Sequence, residues 1–234
     1  MTEEARKNYH HELDSIRAEV LVLAQKVTAM IPQGTDVLLL GDLTAADELV
    51  GINEEVESAA VALEERCYEL LALQAPVAGD LRVIVASIKI IAELERSSGL
   101  VVNVSKAARR LYGMQVDPKL TTILASMSRQ AHQLFRFANE AFANADSPLA
   151  AALDDIDDNL DRLQVDLIQA IFEGHAAGRT DLPVAVQLAL VCRFYERIGD
   201  HAVNIGERVR YMVTGWMPQR DAAERAHSAS ADAF

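Results

Sequence analysis

Apolar residues near the start of the chain recur at spacings of three and four: Leu13, Ile16, Val20, Leu23, Val27 and Met30. That period places them on one stripe of a helix, with polar residues around the rest of the circumference. Pro32 and Gly34 interrupt the stripe, and a kink or short break is expected there because proline removes a backbone donor. The pattern resumes at Val37 and ends at Leu40, where Gly41-Asp42-Leu43-Thr44 supplies a stop and a new N-cap. A second helix is predicted over about 44–73, with Leu49, Val56, Leu63, Cys67 and Leu70 among its inward residues. The stretch from Gln74 to Gly79 reads as its closing turn, and a third helix follows to Leu111.

The plan then repeats. Helices are predicted over about 118–145, 147–172 and 181–213. Asp146-Ser147-Pro148 separates the first two as a capping residue with proline in the first turn, and Glu173 to Thr180 is the expected turn before the last. In that last helix Val184, Leu188, Val191, Tyr195, Ile198, Ala202, Ile205, Val209 and Met212 alternate spacings of four and three, which is the seam of a bundle. Displacing the chain by 101 residues aligns 80–111 with 181–212 at 9 identities over 32 positions, including Asp80 with Asp181, Glu95 with Glu196, Asn103 with Asn204 and Arg109 with Arg210. A shared helical period would repeat apolar residues, not these polar ones. The chain is therefore predicted to be all-α, a tandem duplication of an up-down-up three-helix bundle with six long helices. Residues 1–113 form the first bundle, 114–216 the second, and 217–234 a flexible tail.

Composition narrows the function classes. A net charge of −13 argues against nucleic acid as a partner, because phosphate neutralisation needs clustered Lys and Arg. No run approaches the ~18 apolar residues of a spanning helix, and the start Met1 to Lys7 is polar where a secretory leader would have its apolar core. A cytoplasmic location is expected. Cys67 and Cys192 lie in apolar helical pattern with no Cys-x-x-Cys pair, and are expected to be buried free thiols.

Candidate chemistry centres on Glu196-Arg197-Ile198-Gly199-Asp200-His201-Ala202-Val203-Asn204-Ile205. Glu196 and Asp200 stand one helical turn apart on one face and could share a hard cation, whereas in the earlier copy Glu95 is followed at that spacing by Gly99. The middle helices carry further acids: Glu54, Glu55 and Glu57, then Asp154, Asp155, Asp157, Asp158 and Asp161. Carboxylates facing one another from two helices would give oxygen-only coordination suited to Mg, Ca, Mn or iron. Asp154, Asp157, Glu196, Asp200 and Glu95 are the candidate ligands. Two other readings stay open: a solvated acidic face for 154–161, and pairing of Glu196 and Asp200 with Arg193 or Arg197. His201 and Asn204 stand beside the pair either as helpers or as packing residues. The sole Glu-x-x-His, Glu224 to His227, lies in the expected tail, and no glycine-rich phosphate loop, Ser/His/Asp set or activated Cys is present, so no enzyme is predicted. A metal-storing or metal-dependent helical-bundle enzyme is the alternative.

Two stretches together, Leu70-Leu71-Ala72-Leu73-Gln74-Ala75-Pro76-Val77-Ala78-Gly79-Asp80-Leu81-Arg82 and the motif from Glu196 to Ile205, resemble the PhoU family over about residues 5–214. The resemblance implies two similar three-helix bundles and one Glu/Asp-x-x-x-Asp metal motif in each. It carries over to Glu196 and Asp200 and, in the first copy, to Glu95 alone, with the metal one of Mg, Mn, Fe or Zn. It also implies a cytoplasmic adaptor, expected to be a homodimer. That adaptor would couple a phosphate ABC transporter, through its ATPase subunit, to a membrane sensor histidine kinase, and so restrain phosphate uptake and the phosphate-starvation response.

Overall fold

The computed structural model describes residues 3–216 and contains α1 (Glu3–Leu40), α2 (Leu43–Gln74), α3 (Ala78–Leu111), α4 (Pro118–Asn144), α5 (Ser147–Ala176) and α6 (Leu182–Thr214), with no strand among the described residues. The expected tail lies outside them. Local chemistry sets most helix ends. Gly41 takes the left-handed conformation at φ 67°, and Asp42 then accepts from the amides of Thr44 (3.0 Å) and Ala45 (3.1 Å). Asp117 accepts from Lys119 N (2.9 Å) before Pro118, and Asp146 accepts from Leu149 N (2.9 Å) before Pro148.

The expected break at Pro32 does not occur: α1 is continuous through it. Gly34 explains why a small residue belongs there, since a Cβ would stand 2.6 Å from Val101 Cγ1 of α3. Close packing of α1 on α3 holds the segment helical although proline has no N–H to give the ladder. The helix α5 runs to Ala176, past the 172 expected, because Gly174 packs on Thr180 and His175 Nδ1 lies 2.9 Å from the Thr180 carbonyl. Those contacts cap the extra turn.

Helices α1, α3, α4 and α6 form a four-helix centre in which α1 packs on α3 and α4, and α6 on α3 and α4. Helix α2 flanks α1 and α3, and α5 flanks α4 and α6. The two halves meet antiparallel. Arg82 Nε donates to the Met212 carbonyl (3.3 Å) at one end of the α3–α6 contact, and Arg110 Nη1 to Gln187 Oε1 (3.3 Å) at the other. Between α1 and α4, Asn139 Nδ2 donates to Thr28 Oγ1 (2.9 Å), and Thr35 Oγ1 lies 2.6 Å from the Ser128 hydroxyl and 2.5 Å from that of Tyr195 on α6.

One continuous apolar core runs through both halves; Ile84, Leu94, Leu124, Phe135, Leu160 and Ile198 are sealed from solvent. Each such side chain contributes about 1.5–3 kcal/mol. Exposed ion pairs, Arg66 with Glu12 and Glu19, Lys26 with Glu55, and Arg109 with Asp47, tie α2 to its neighbours and add at most about 1 kcal/mol each. Cys67 and Cys192 are free and buried as expected, and burial pushes their thiols up to about 11 and about 12. No described helix is long and apolar enough to cross a membrane.

Candidate functional site

Two glycines of α6 let α5 pack tightly against it. A Cβ on Gly206 would stand 2.6 Å from Leu153 Cδ1, and one on Gly199 would stand 2.5 Å from Asp157 Oδ1 and 2.6 Å from Leu160 Cδ2. With no side chain at Gly199, the Asp157 carboxylate lies directly over the α6 backbone. Glu196 and Asp200 lie together to one side of Gly199 on the helical wheel, and the charges of both act on Asp157.

The outcome is a set of interacting carboxylates. Asp157 is half-buried, and its pKa is pushed up to about 7, first by burial and then by the charges of Asp161, Asp200, Asp154 and Glu196. Glu196, also half-buried, is raised by burial and by Asp200 against the pull of Arg193. Arg193 pairs with Glu196 Oε1, so the arginine reading of the motif holds for that oxygen. Two oxygens remain buried with no partner, Asp157 Oδ1 and Glu196 Oε2. Orphaned buried acceptors are rare because each loses its hydrogen bonds to water.

Carboxylate oxygens are the donors that hard cations such as Mg, Ca, Mn or iron take. In the present side-chain arrangement no three His, Cys, Asp or Glu groups among the described residues are gathered tightly enough to enclose an ion. The residues thus match a metal in donor chemistry, with Asp157 and Glu196 at the centre and the exposed Asp200, Asp154 and Asp161 within reach of their charge.

Glu95 is not brought into this set. It is exposed on α3, and its charge is absent from those acting on Asp157. Matching the buried positions of α2 and α5, Leu49 with Leu153, Val56 with Leu160 and Leu63 with Leu167, sets Asn53 against Asp157 and Glu57 against Asp161. Asn53 is buried and donates through Nδ2 to Glu57 Oε1 (2.6 Å). In the first half an amide therefore replaces the central carboxylate, and Gly99 replaces the aspartate on α3.

His201 turns the other way. It is buried against α3, where its Nδ1 donates to Glu93 Oε2 at 2.5 Å, and Arg96 Nη2 reaches Glu93 Oε1 at 2.6 Å. Burial pulls the Glu93 pKa up, but the hydrogen bonds from His201 and Arg96 outweigh it and hold the carboxylate below its usual value. Sequence reasoning missed Glu93. Its signal is in the duplication, where Glu93 aligns with Phe194 and His201 with Leu100: two polar residues in apolar places, complementary to each other.

Comparison with known proteins locates this architecture. A family model described as PhoU domain matches residues 20–108 and again 124–209. The phosphate-specific transport system accessory protein PhoU homolog 1 of Mycobacterium tuberculosis is 35% identical over 92% of this chain and 97% of its own, and PhoU homolog 2 is 33% identical over 91% and 100%. The crystal structure of PhoU from Pseudomonas aeruginosa superposes with a TM-score of 0.84 at 25% identity, covering 89% of this chain and all of that one (100%). That of the phosphate transport system regulatory protein PhoU from Streptococcus pneumoniae gives 0.82 at 23%, over 89% and 98%, a likeness of fold. Matched in both halves and along nearly its whole length, the chain belongs to the PhoU family.

Proposed function

We propose that this chain is a cytoplasmic accessory protein of phosphate-specific transport, coupling the ATPase subunit of a phosphate ABC transporter to a membrane sensor histidine kinase and restraining uptake when phosphate is plentiful. Its kinship with transport accessory proteins along almost the entire chain carries this reading. The antiparallel helical centre supports it, offering a rigid body with broad surfaces for two partners. The protein acts by binding rather than by turnover, and works as a homodimer.

A metal at Asp157, Glu196 and Asp200 serves in this proposal as a structural or tuning element of the second half. The two orphaned oxygens support it. Deleting the gene and measuring phosphate-starvation transcripts in phosphate-rich medium tests the regulatory role. Derepression is the expected result; transcripts that stay silent would overturn it.

A further inference from the structure

Charge is divided unevenly among the helices. Helix α2 carries eight acidic residues and one basic, and α5 seven and one, whereas α3 carries six basic and three acidic and α6 four and three. The layer formed by α3 and α6 is thus positive on a chain whose net charge is −13. An acidic partner is repelled by α2 and α5 and steered toward this layer.

One stretch of that layer is also apolar. Leu182, Val186 and Leu190 recur at every fourth position of α6 and are 61%, 50% and 43% exposed. At helical rise they stand about 6 Å apart along the axis. Arg110 lies beside them through its bond to Gln187, with Lys106 one turn back on α3 and Arg193 one turn on along α6, all three exposed. An aliphatic row with Lys106 and Arg110 along its α3 side, and Arg193, paired with Glu196, beyond its far end, matches an apolar stripe with carboxylates beside it.

We infer that Leu182, Val186 and Leu190, with Lys106, Arg110 and Arg193, form a docking strip for an acidic amphipathic helix of a protein partner. An anionic membrane fits less well. The acidic helices α2 and α5 flank the α3–α6 layer on either side, so a lipid plane pressed onto the strip would meet both, whereas a single helix avoids them. The inference rests on the adaptor reading only in taking the partner to be a protein.

The test uses the full chain and a fluorescein-labelled peptide of ~20 residues with leucines on one helical stripe and glutamates beside it. Saturable binding that weakens with salt is expected, and Val186→Ser with Leu190→Ser, or Arg110→Glu alone, should cost about tenfold or more in affinity. Val61→Ser, at a comparably exposed position on α2, should leave affinity unchanged. Absence of binding, equal binding of a lysine version of the peptide, or affinity indifferent to these substitutions overturns the proposal. So does adsorption to phosphatidylglycerol vesicles that the same substitutions abolish while peptide binding is absent. The transcript measurement on the deletion strain is independent of every arm, so failure of the strip and failure of the regulatory reading are told apart.

Discussion

Gly199 of α6 sits so close to Asp157 of α5 that a methyl group on the glycine would meet the carboxylate oxygen at 2.5 Å. Leu160 crowds the same point at 2.6 Å, so neither helix can yield without disturbing the core behind it. Gly199→Ala should destabilise the fold by about 1–3 kcal/mol, as overpacking does. Gly51→Ala supplies the contrast: it lies inside α2 with nothing near its Cβ, and should stabilise by roughly 0.5–1 kcal/mol. Urea unfolding midpoints of the two variants should move in opposite directions.

Asp157 gives the fold a pH dependence of definite sign. An unfolded aspartate ionises near pH ~4, but in the fold Asp157 keeps its proton up to about 7. Between those values the native state holds a proton that the unfolded chain has lost, so stability falls as pH rises through the window. Asp157→Asn should remove that fall. In EDTA the variant should match the native protein near pH ~4 and exceed it above neutrality by ~1 kcal/mol, the full shift being discounted for partial exposure.

A divalent ion reverses that logic by drawing the proton off Asp157 and satisfying the orphaned oxygens. Loaded with Mn or Fe and desalted, the native chain should retain metal by elemental analysis. Asp200→Ala and Glu196→Gln should lose it with helicity unchanged by circular dichroism, and Glu95→Gln should keep it. Retention by the first two variants would dismiss the site, and loss on Glu95→Gln would place a ligand in the first half.

His201 and Glu93 join the two halves through a buried hydrogen bond. Arg96 still holds Glu93 Oε1 when His201 is removed, but Oε2 loses its partner, so His201→Leu should cost about 1–3 kcal/mol. Adding Glu93→Leu should recover much of that loss, because the pair is replaced by apolar packing. A double-mutant cycle on unfolding free energies measures the coupling.

Most of the helices were legible because their ends are written in local chemistry. Asp42, Asp117 and Asp146 cap, Pro118 and Pro148 open first turns, and Gly41 turns the chain out of α1. Where tertiary contact decided, reading by pattern fell short. Pro32 looked like a break until Gly34 met Val101, and the last turn of α5 depends on Thr180 reaching back to Gly174. At the candidate site, the spacing of Glu196 and Asp200 was visible, but the residue they surround was one of several aspartates on α5. Only the close contact at Gly199 singles out Asp157. Likewise Glu54, Glu55 and Glu57 are the acids that α2 offers by sequence, while the counterpart of Asp157 is the uncharged Asn53, visible once buried positions are matched across helices.

The two thiols, sealed in the interior and disinclined to ionise, leave the folded chain without a reactive thiol for thiol-directed reagents. Maleimide labelling of the unmodified protein therefore clocks its opening, Cys67 reporting on α2 and Cys192 on α6. A cysteine introduced at an exposed site such as Val186 would take a dye alone, with no need to remove either native one.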